Sequence, residues 1–240
     1  MKNKNIKIGF SSGALKKSNL NLLARLEFLQ HLKCQALELH FIGDELYSPV
    51  VKRLKAACFK KFKYISLHAP MGHYGDNETT EKIFGIIRKI NEMLNLDTVV
   101  FHPDCVTDLS ILDKIGFPVA FENMDSRNSS FQTPDKLVSI INSNKNFKLV
   151  LDLNHAYTND HTMALAKKFY TEFSHKIIHI HLSGYRSSRL GSRHVPLFQT
   201  GQIKIIRAVK NFNLPIIVES NVSLIEAKNE YEYILDNLKF

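Results

Sequence analysis

The sequence contains few cysteines and no apolar segment long enough to cross a membrane. Cys34, Cys58 and Cys105 show no paired spacing, which argues against a disulfide framework and against a cysteine-type zinc site. No apolar run approaches the roughly 20 residues that span a bilayer, and the polar, lysine-rich start from Met1 to Ile8 does not resemble a secretion signal. We therefore expect a cytoplasmic protein that has no membrane partner.

The glycine-rich loops that bind nucleotide phosphates are also missing. Gly9, Gly13 and Gly201 are isolated and are interpreted as turn residues. What the sequence does have is positive charge, with a formal net charge of +9 over 240 residues. Such an excess indicates either an anionic partner or a contribution to solubility alone, and the positions of the charges must decide between them.

Eight short apolar runs are predicted as strands, and most of them end in a histidine or an acid. Thr98–Pro103 reads Thr-Val-Val-Phe-His-Pro, and Pro118–Asn123 reads Pro-Val-Ala-Phe-Glu-Asn. Continuous β-branched and aromatic runs are typical of strands that are buried on both faces. The other predicted strands are Ile6–Ser11, Ala36–His40, Tyr64–His68, Lys148–Asp152, Ile177–His181 and Pro215–Glu219.

Eight helices are predicted to alternate with these strands, from apolar residues at helical spacing and from capping residues. They are Asn19–Leu32, Val50–Ala57, Thr79–Leu94, Ser110–Ile115, Thr133–Ser143, Thr162–Phe173, Ile203–Phe212 and Ser223–Leu238. Alternation requires parallel strands, and eight such units close into a (β/α)8 TIM barrel. An open doubly wound sheet is the alternative, but the count of eight argues against it. We predict one α/β barrel domain over residues 1–240.

Potential metal ligands follow the predicted strands from the third to the eighth. They are His68, His102, Glu122, Asp152, His155, His181 and Glu219, and the polar loop Ser183–Gln199 adds His194. A parallel barrel brings its carboxyl ends to one face, where active sites form. Imidazoles and carboxylates packed together there are costly unless a cation balances them, and such mixed sets suit zinc, manganese or iron(II).

Other histidines and one glutamate are assigned by their position relative to these ligands. His179 lies two residues before His181 and is interpreted as a histidine of the barrel core. Glu38 and His40 stand in the same relation on the second strand, where they either support the ligands or lie on the surface. His73 and His161 belong to loops at the same end and can approach a substrate, whereas His31 and His175 belong to the opposite side.

The order and spacing of these motifs resemble those of the xylose isomerase-like TIM barrels, which include endonuclease IV and sugar isomerases and epimerases. The matching motifs are Leu-His-Ala-Pro, Phe-His-Pro, Glu-Asn, Asp-x-x-His-Ala, His-Leu and the late glutamate. The resemblance to endonuclease IV implies one metal on His68, His102 and Glu122, with Glu122 bridging to a second on Asp152, His181 and Glu219. It implies a third metal on His155 and His194. There the family motif Asp-Arg-His is replaced by Ser192-Arg193-His194, which removes a carboxylate ligand.

The epimerase branch resembles the chain through a smaller set of residues. In that branch Glu122, Asp152, His181 and Glu219 hold one metal, and Glu122 and Glu219 are the catalytic acid/base pair. This chemistry does not require His68 and His102 as ligands.

Basic residues are predicted at the same end of the barrel as the ligands. They are Lys16, Lys17, Arg127, Arg186, Arg189 and Arg193. Arginine suits bidentate phosphate contact, and a neighbouring aromatic side chain can stack on a base or sugar. We predict substrate contacts from Arg186, Arg189, Arg193, His73 and Tyr185. The alternative is a solvated loop.

Two enzymatic functions and one non-catalytic function fit these residues. The preferred hypothesis is phosphoester hydrolysis of abasic-site DNA by two or three zinc ions, because the ligands exceed what one metal needs. Against it, long insertions for clamping DNA are lacking and the loop Phe41–Pro49 carries Asp44 and Glu45. The alternative is isomerisation or epimerisation of a small sugar or sugar phosphate. A non-catalytic metal-binding barrel is the third possibility.

Overall fold

Eight parallel strands form a closed barrel in the computed structural model, which describes residues 6–113, 115–187, 193–209 and 213–238. The barrel strands are β1 (Ile8–Ser11), β2 (Ala36–His40), β3 (Tyr64–His68), β4 (Thr98–Phe101), β5 (Val119–Glu122), β6 (Lys148–Asp152), β7 (Ile177–Leu182) and β10 (Ile216–Val218). Each pairs with its neighbour in chain order, and β10 pairs with β1 to close the ring. The predicted TIM barrel is confirmed.

Helices connect the strands on the outside of the barrel. They are α1 (Leu22–His31), α2 (Pro49–Lys52), α3 (Glu78–Leu94), α4 (Pro134–Ser143), α5 (Leu153–Asn159), α6 (Ala164–Phe173), α7 (Leu197–Thr200), α8 (Ile203–Val209) and α9 (Leu224–Leu238). Short 3-10 helices cover Ser12–Ser18, Gly43–Tyr47, Ala56–Phe59, Pro103–Cys105 and Leu109–Leu112. Within the described ranges, no helix combines the length and apolarity that crossing a membrane requires.

The longest helix shows how local sequence sets these elements. Asn77 caps α3 by accepting a hydrogen bond from Thr80 N at 2.9 Å, and Asn95 ends it in the left-handed region with φ 51°. Ile83, Phe84, Ile87 and Ile90 share one buried face of α3. That face packs into the main core, which fills the space between the strands and the helices.

Three predicted connections differ from the structure. The helix predicted over Ser110–Ile115 is a 3-10 helix of four residues, Leu109–Leu112. The helix predicted over Val50–Ala57 is divided into α2 and the 3-10 helix Ala56–Phe59, because Lys55 adopts an extended conformation between them. The predicted helix Ile203–Phe212 runs as α8 to Val209, and residues 210–212 lie outside the described part of the chain.

The loop predicted over Ser183–Gln199 contains regular structure. β8 (Gly184–Arg186) and β9 (Arg193–Val195) form an antiparallel hairpin, and α7 follows it. Gly9, interpreted as a turn residue, lies within β1, where an added Cβ would fall 1.5 Å from Ala36 O. The close approach of β1 to β2 therefore requires glycine at this position.

The barrel interior changes from apolar to polar along the strands. Ala36 and Tyr64, which begin β2 and β3, pack with Ile217 in a small buried cluster. Two residues further on, Glu38 and Ser66 are paired in register and fully buried. The next inward positions lie at the carboxyl ends of the strands, which we call the mouth of the barrel. Alternation along the strands therefore places polar side chains beneath the mouth.

Candidate metal centre

The strand ends bring the predicted ligands to the mouth. His68, Glu122 and Asp152 end β3, β5 and β6, and His181 lies within β7. His102 and Glu219 come directly after β4 and β10. His155 lies on α5, and His194 lies on β9. Eight side chains from distant parts of the sequence therefore surround one end of the barrel.

One group of three possible ligands joins β3, β4 and β5. Ligand atoms of His68, His102 and Glu122 all lie within 4.8 Å of one another. Glu122 Oε2 is 3.5 Å from His68 Nε2 and 3.1 Å from His102 Nε2. Bonds of roughly 2.0–2.1 Å from a tetrahedral zinc ion place neighbouring ligand atoms about 3.4 Å apart. The spacing of this group therefore fits an ion between its members.

A second group of four possible ligands shares Glu122 with the first. It consists of Glu122, Asp152, His181 and Glu219, with ligand atoms again within 4.8 Å of one another. His181 Nδ1 lies 2.9 Å from Glu122 Oε1 and 3.5 Å from Glu219 Oε2. The two carboxylate oxygens of Glu122 therefore face different groups, Oε2 towards the first and Oε1 towards the second.

His155 and His194 lie beside the second group, with ring centres 5.5 Å apart. His155 Nδ1 donates to Asn123 O at 2.8 Å, which leaves its Nε2 as the ligand nitrogen. His194 Nδ1 lies 3.0 Å from Ser183 Oγ and 3.6 Å from Glu219 Oε2. Among the described residues, no acid or third histidine joins these two imidazoles in a group of three. Ser192 lies outside the described ranges.

Hydrogen bonds hold the ends of β5 and β6 in register beneath these ligands. Asn123 Oδ1 accepts from Asp152 N at 2.8 Å, and Asn123 Nδ2 donates to Asp152 O at 3.0 Å. Asp152 Oδ1 accepts from His155 N at 2.7 Å and so caps α5. The backbone of α5 thereby fixes one oxygen of Asp152 and leaves the other directed into the site.

The charge balance of the mouth rests on buried ionisable groups. Burial alone would raise the pKa of Glu122, but the charge of His181 and hydrogen bonds from His102 and His181 hold it well below its ordinary value. Burial raises the pKa of Asp152 well above its ordinary value and also raises that of Glu219. Burial would lower the pKa of His68, yet the hydrogen bond that it donates to Glu122 and the nearby carboxylates raise it to about 9. The raised pKa values of Asp152, Glu219 and His68 favour protons on these side chains, and a bound cation can replace those protons.

The donor set fits a divalent cation in a further respect. Within the described part of the chain, Asp152 Oδ2 is buried and has no hydrogen-bond donor. A buried carboxylate oxygen without a donor costs free energy that coordination to a cation removes. Nitrogen and carboxylate ligands in this mixture suit zinc, manganese or iron(II).

A cavity of about 460 Å³ opens at the mouth, within the range of about 300–1,000 Å³ typical of small-molecule sites. Lys16 and Arg127 from the predicted basic set line it, together with six of the predicted ligands. His40, left undecided by sequence, also lines it, with its ring centre 5.0 Å from that of His68. The cavity therefore combines possible metal ligands with two cationic side chains.

The predicted substrate-binding residues take other positions. Arg186 and His73 are exposed and Tyr185 is half-buried, and none of the three lines the cavity. Tyr185 packs against Tyr157 and His161 at ring-centre distances of 5.9 and 6.0 Å. Arg193 belongs to β9 by its backbone, and Arg189 lies outside the described ranges.

Glu38 is the buried neighbour of the ligands that sequence reasoning left undecided. It is fully buried, and its Oε2 lies 3.2 Å from His181 Nε2. The spacing Glu38-x-His40 was the sequence signal that could have placed Glu38 inside the barrel, because residues two apart on a strand face the same side. The contact itself joins residues 143 positions apart and depends on how the barrel closes.

Comparisons with known proteins agree with the barrel fold. A search of curated proteins finds no match. A D-tagatose 3-epimerase-like protein of known structure is 21% identical, covers 98% of this chain and 97% of its own, and has a TM-score of 0.73. The probable 3-DHS dehydratase of Bacillus anthracis is 14% identical, covers 96% of this chain and 99% of its own, and has a TM-score of 0.69. Endonuclease IV from Thermus thermophilus is 16% identical, covers 97% of this chain and 99% of its own, and has a TM-score of 0.67.

These likenesses show the fold, and a sequence profile shows the family. The profile of the xylose isomerase-like TIM barrels matches residues 104–239, more than half of the chain. That segment includes β5, β6, β7 and β10 with the ligands they carry. The chain belongs to the xylose isomerase-like TIM barrel family.

Proposed function

We propose that the protein is a divalent-metal-dependent phosphoesterase with a two-metal centre bridged by Glu122. The division of the Glu122 oxygens between two groups of ligands carries this proposal. A centre with one metal has no need of His68 and His102 beside the four ligands of the second group. Zinc is the preferred ion, with manganese or iron(II) as alternatives.

His68, His102 and Glu122 would hold one ion, and Glu122, Asp152, His181 and Glu219 the other. Bound ions of this kind lower the pKa of a water molecule and neutralise charge on a phosphoryl group. Lys16 and Arg127 add positive charge at the cavity wall, where they can bind and orient a phosphate. Glu219 lines the cavity, so the oxygen of its carboxylate that the ion leaves free can accept a proton close to the substrate.

The proposal also includes a third ion, held by His155 and His194 at a site of lower affinity. The two imidazoles supply only nitrogen ligands, and serine replaces aspartate at position 192. Water would have to complete such a site. We therefore expect its affinity to be lower than that of the two groups that share Glu122.

Abasic-site DNA is the preferred substrate, supported by the net charge of +9 and by the cationic mouth. The acidic loop after β2 weighs less against DNA than its sequence suggests, because both oxygens of Glu45 bind the buried Arg25 at 2.5 Å. DNA extends beyond the cavity, so Arg186, Arg189, Arg193, His73 and Tyr185 stay predicted DNA contacts. Three free cysteines support a cytoplasmic location.

Isomerisation or epimerisation of a small sugar or sugar phosphate is the second candidate. The cavity volume favours it, because about 460 Å³ suits a small molecule. In this function the second group holds one metal, and Glu122 and Glu219 move a proton between carbon atoms of the sugar. The sugar would contact Lys16 and Arg127, which line the cavity, and would leave the exposed Arg186 free.

The experiment that separates the two candidates uses zinc-loaded protein with both substrate types. A duplex with one abasic site is tested for nicking, and ketoses and ketose phosphates are tested for interconversion. The hydrolase proposal predicts nicking that Arg186→Ala weakens and that His175→Ala, an exposed histidine away from the mouth, leaves unchanged. Sugar turnover without nicking would overturn the hydrolase proposal and support the epimerase.

A further inference from the structure

A buried carboxylate lies beneath the candidate metal centre and contacts one of its ligands from the opposite side. Glu38 Oε2 accepts a hydrogen bond from Ser66 Oγ at 2.9 Å and lies 3.2 Å from His181 Nε2. Glu38, Ser66 and His181 are all fully buried. The mouth ligands Glu122 and Glu219 contact the other ring nitrogen, Nδ1. His181 therefore lies between carboxylates on two levels of the barrel.

This arrangement decides which nitrogen of His181 can bind a metal ion. A carboxylate only accepts hydrogen bonds, so the contact with Glu38 requires a hydrogen on Nε2. The lone pair of a neutral imidazole is then on Nδ1, 2.9 Å from Glu122 Oε1. Without a metal ion a proton on Nδ1 donates to Glu122, and a cation at the mouth can take the place of that proton. Glu38 thus presents His181 to the mouth in the form that coordinates metal.

The position of Glu38 is itself fixed by packing across the barrel. Ser66 lies opposite Glu38 in the register of β2 and β3. His179, on the same side of β7 as His181, approaches Glu38 Oε2 with its Nε2 at 3.5 Å, and its Nδ1 lies 2.7 Å from the Tyr64 hydroxyl. The side chain therefore has little freedom to turn away from His181.

We infer that Glu38 is a positioning residue that orients His181 and fixes its Nε2–H tautomer, so that Nδ1 is the metal ligand. The inference rests on the proposed metal centre and names a residue that the family resemblance does not include. Partners of this kind, which accept the second ring hydrogen of a metal-bound histidine, typically contribute 10–100-fold to metal affinity. The competing arrangement is an ion held by Glu38, His179 and His181, whose ligand atoms lie within 4.8 Å of one another.

The test compares zinc affinity in the wild type, Glu38→Gln, Glu38→Asp and Ser66→Ala, measured by competition with a chromophoric chelator. Glu38→Gln should weaken zinc binding about 10–100-fold. Ser66→Ala is the matched control, because it removes a hydrogen bond to the same oxygen but leaves the contact with His181, and it should change the affinity far less. Glu38→Asp keeps the charge but has a shorter side chain, so it should also bind zinc more weakly. This variant replaces Glu38→Gln in the test if Glu38→Gln fails to fold.

A second readout reports on the hydrogen bond directly. In zinc-loaded protein the His181 Nε2–H proton should resonate far downfield, and Glu38→Gln should move it upfield while Ser66→Ala retains it. Wild-type zinc binding that Glu38→Gln leaves unchanged would overturn the role of Glu38 alone. A wild type that binds no zinc would overturn the metal centre and this role together. An anomalous peak between Glu38, His179 and His181 would show that Glu38 is a ligand and would also overturn it.

Discussion

Glu122 Oε1 lies 2.9 Å from His181 Nδ1, so a carboxylate on β5 and an imidazole on β7 meet across the mouth of the barrel. The strand between them, β6, contributes Asp152 to the same group. Since the other oxygen of Glu122 faces β3 and β4, this side chain connects the two halves of the candidate centre. The two groups of ligands therefore depend on one shared residue.

Removing Glu122 should weaken binding of both ions. Glu122→Ala takes one ligand from each group, so the first group keeps no acid and the second keeps three ligands. The metal content measured by elemental analysis should fall from two ions per chain to less than one. Asp76→Asn, an exposed acid in the loop after β3, is the control and should retain both ions. Full metal content in Glu122→Ala would contradict the bridging role.

His68→Ala should remove one ion and leave the other. The second group, which consists of Glu122, Asp152, His181 and Glu219, does not include His68. Phosphoester hydrolysis should therefore be lost, while an isomerase or epimerase activity, if it is the true function, should persist in part. Metal content and turnover are measured on the same samples. Loss of both ions in His68→Ala would show that the two groups do not bind independently.

The barrel could be predicted because its evidence is local and repeated. Each strand shows an apolar run, and a long helix such as α3 shows a cap at Asn77 and one apolar face that includes Ile83. Helix α5 could not be predicted in this way, since it is seven residues long and its cap, Asp152, is also the last residue of β6. Its cap, formed by Asp152 and the backbone of His155, becomes visible only in the structure.

The candidate ligands could also be predicted, because strand ends in a parallel barrel converge without any knowledge of packing. The residues that contact these ligands or line the cavity beside them, such as Glu38 and Lys16, could not be predicted. Glu38 meets His181 only through the stagger of the strands, and Lys16 lines the cavity because of the conformation of a 3-10 helix after β1. Such contacts depend on the closed barrel, which the sequence pattern does not specify residue by residue.

The ion pair of the buried Arg25 with the half-buried Glu45 should stabilise two segments that lead to the mouth. Arg25 is fully buried and donates to Ser12 O at 3.0 Å, and Glu45 also accepts from Ile42 N at 3.0 Å. Glu45→Gln leaves a buried cation without its partner, so it should lower the free energy of unfolding by about 3 kcal/mol, as measured by urea denaturation.

Two further variants test that prediction. The double variant Arg25→Met with Glu45→Gln removes the stranded charge and should recover much of the loss. Glu78→Gln breaks the exposed pair with Lys82 and should have little effect on stability. Equal losses in Glu45→Gln and Glu78→Gln would contradict the importance of burial.

Glu230 should make stability depend on pH. Its carboxylate accepts from Leu197 N at 2.8 Å, Phe198 N at 3.1 Å and Ser220 Oγ at 2.7 Å, but burial raises its pKa above the ordinary value of 4.5. A carboxyl whose pKa is raised by folding loses its contribution to stability as pH rises through the folded-state pKa. Relative to Glu230→Gln, the wild type should therefore become less stable as pH rises above 4.5 and through the folded-state pKa. Denaturation at several pH values measures this difference, and a constant difference would contradict it.

Anomalous diffraction from zinc-soaked crystals is the decisive measurement for the two-metal centre, because it counts and locates the ions. We predict two peaks that share Glu122, one beside His68 and His102 and the other beside Asp152, His181 and Glu219. A single peak, or peaks that do not touch Glu122, would contradict it.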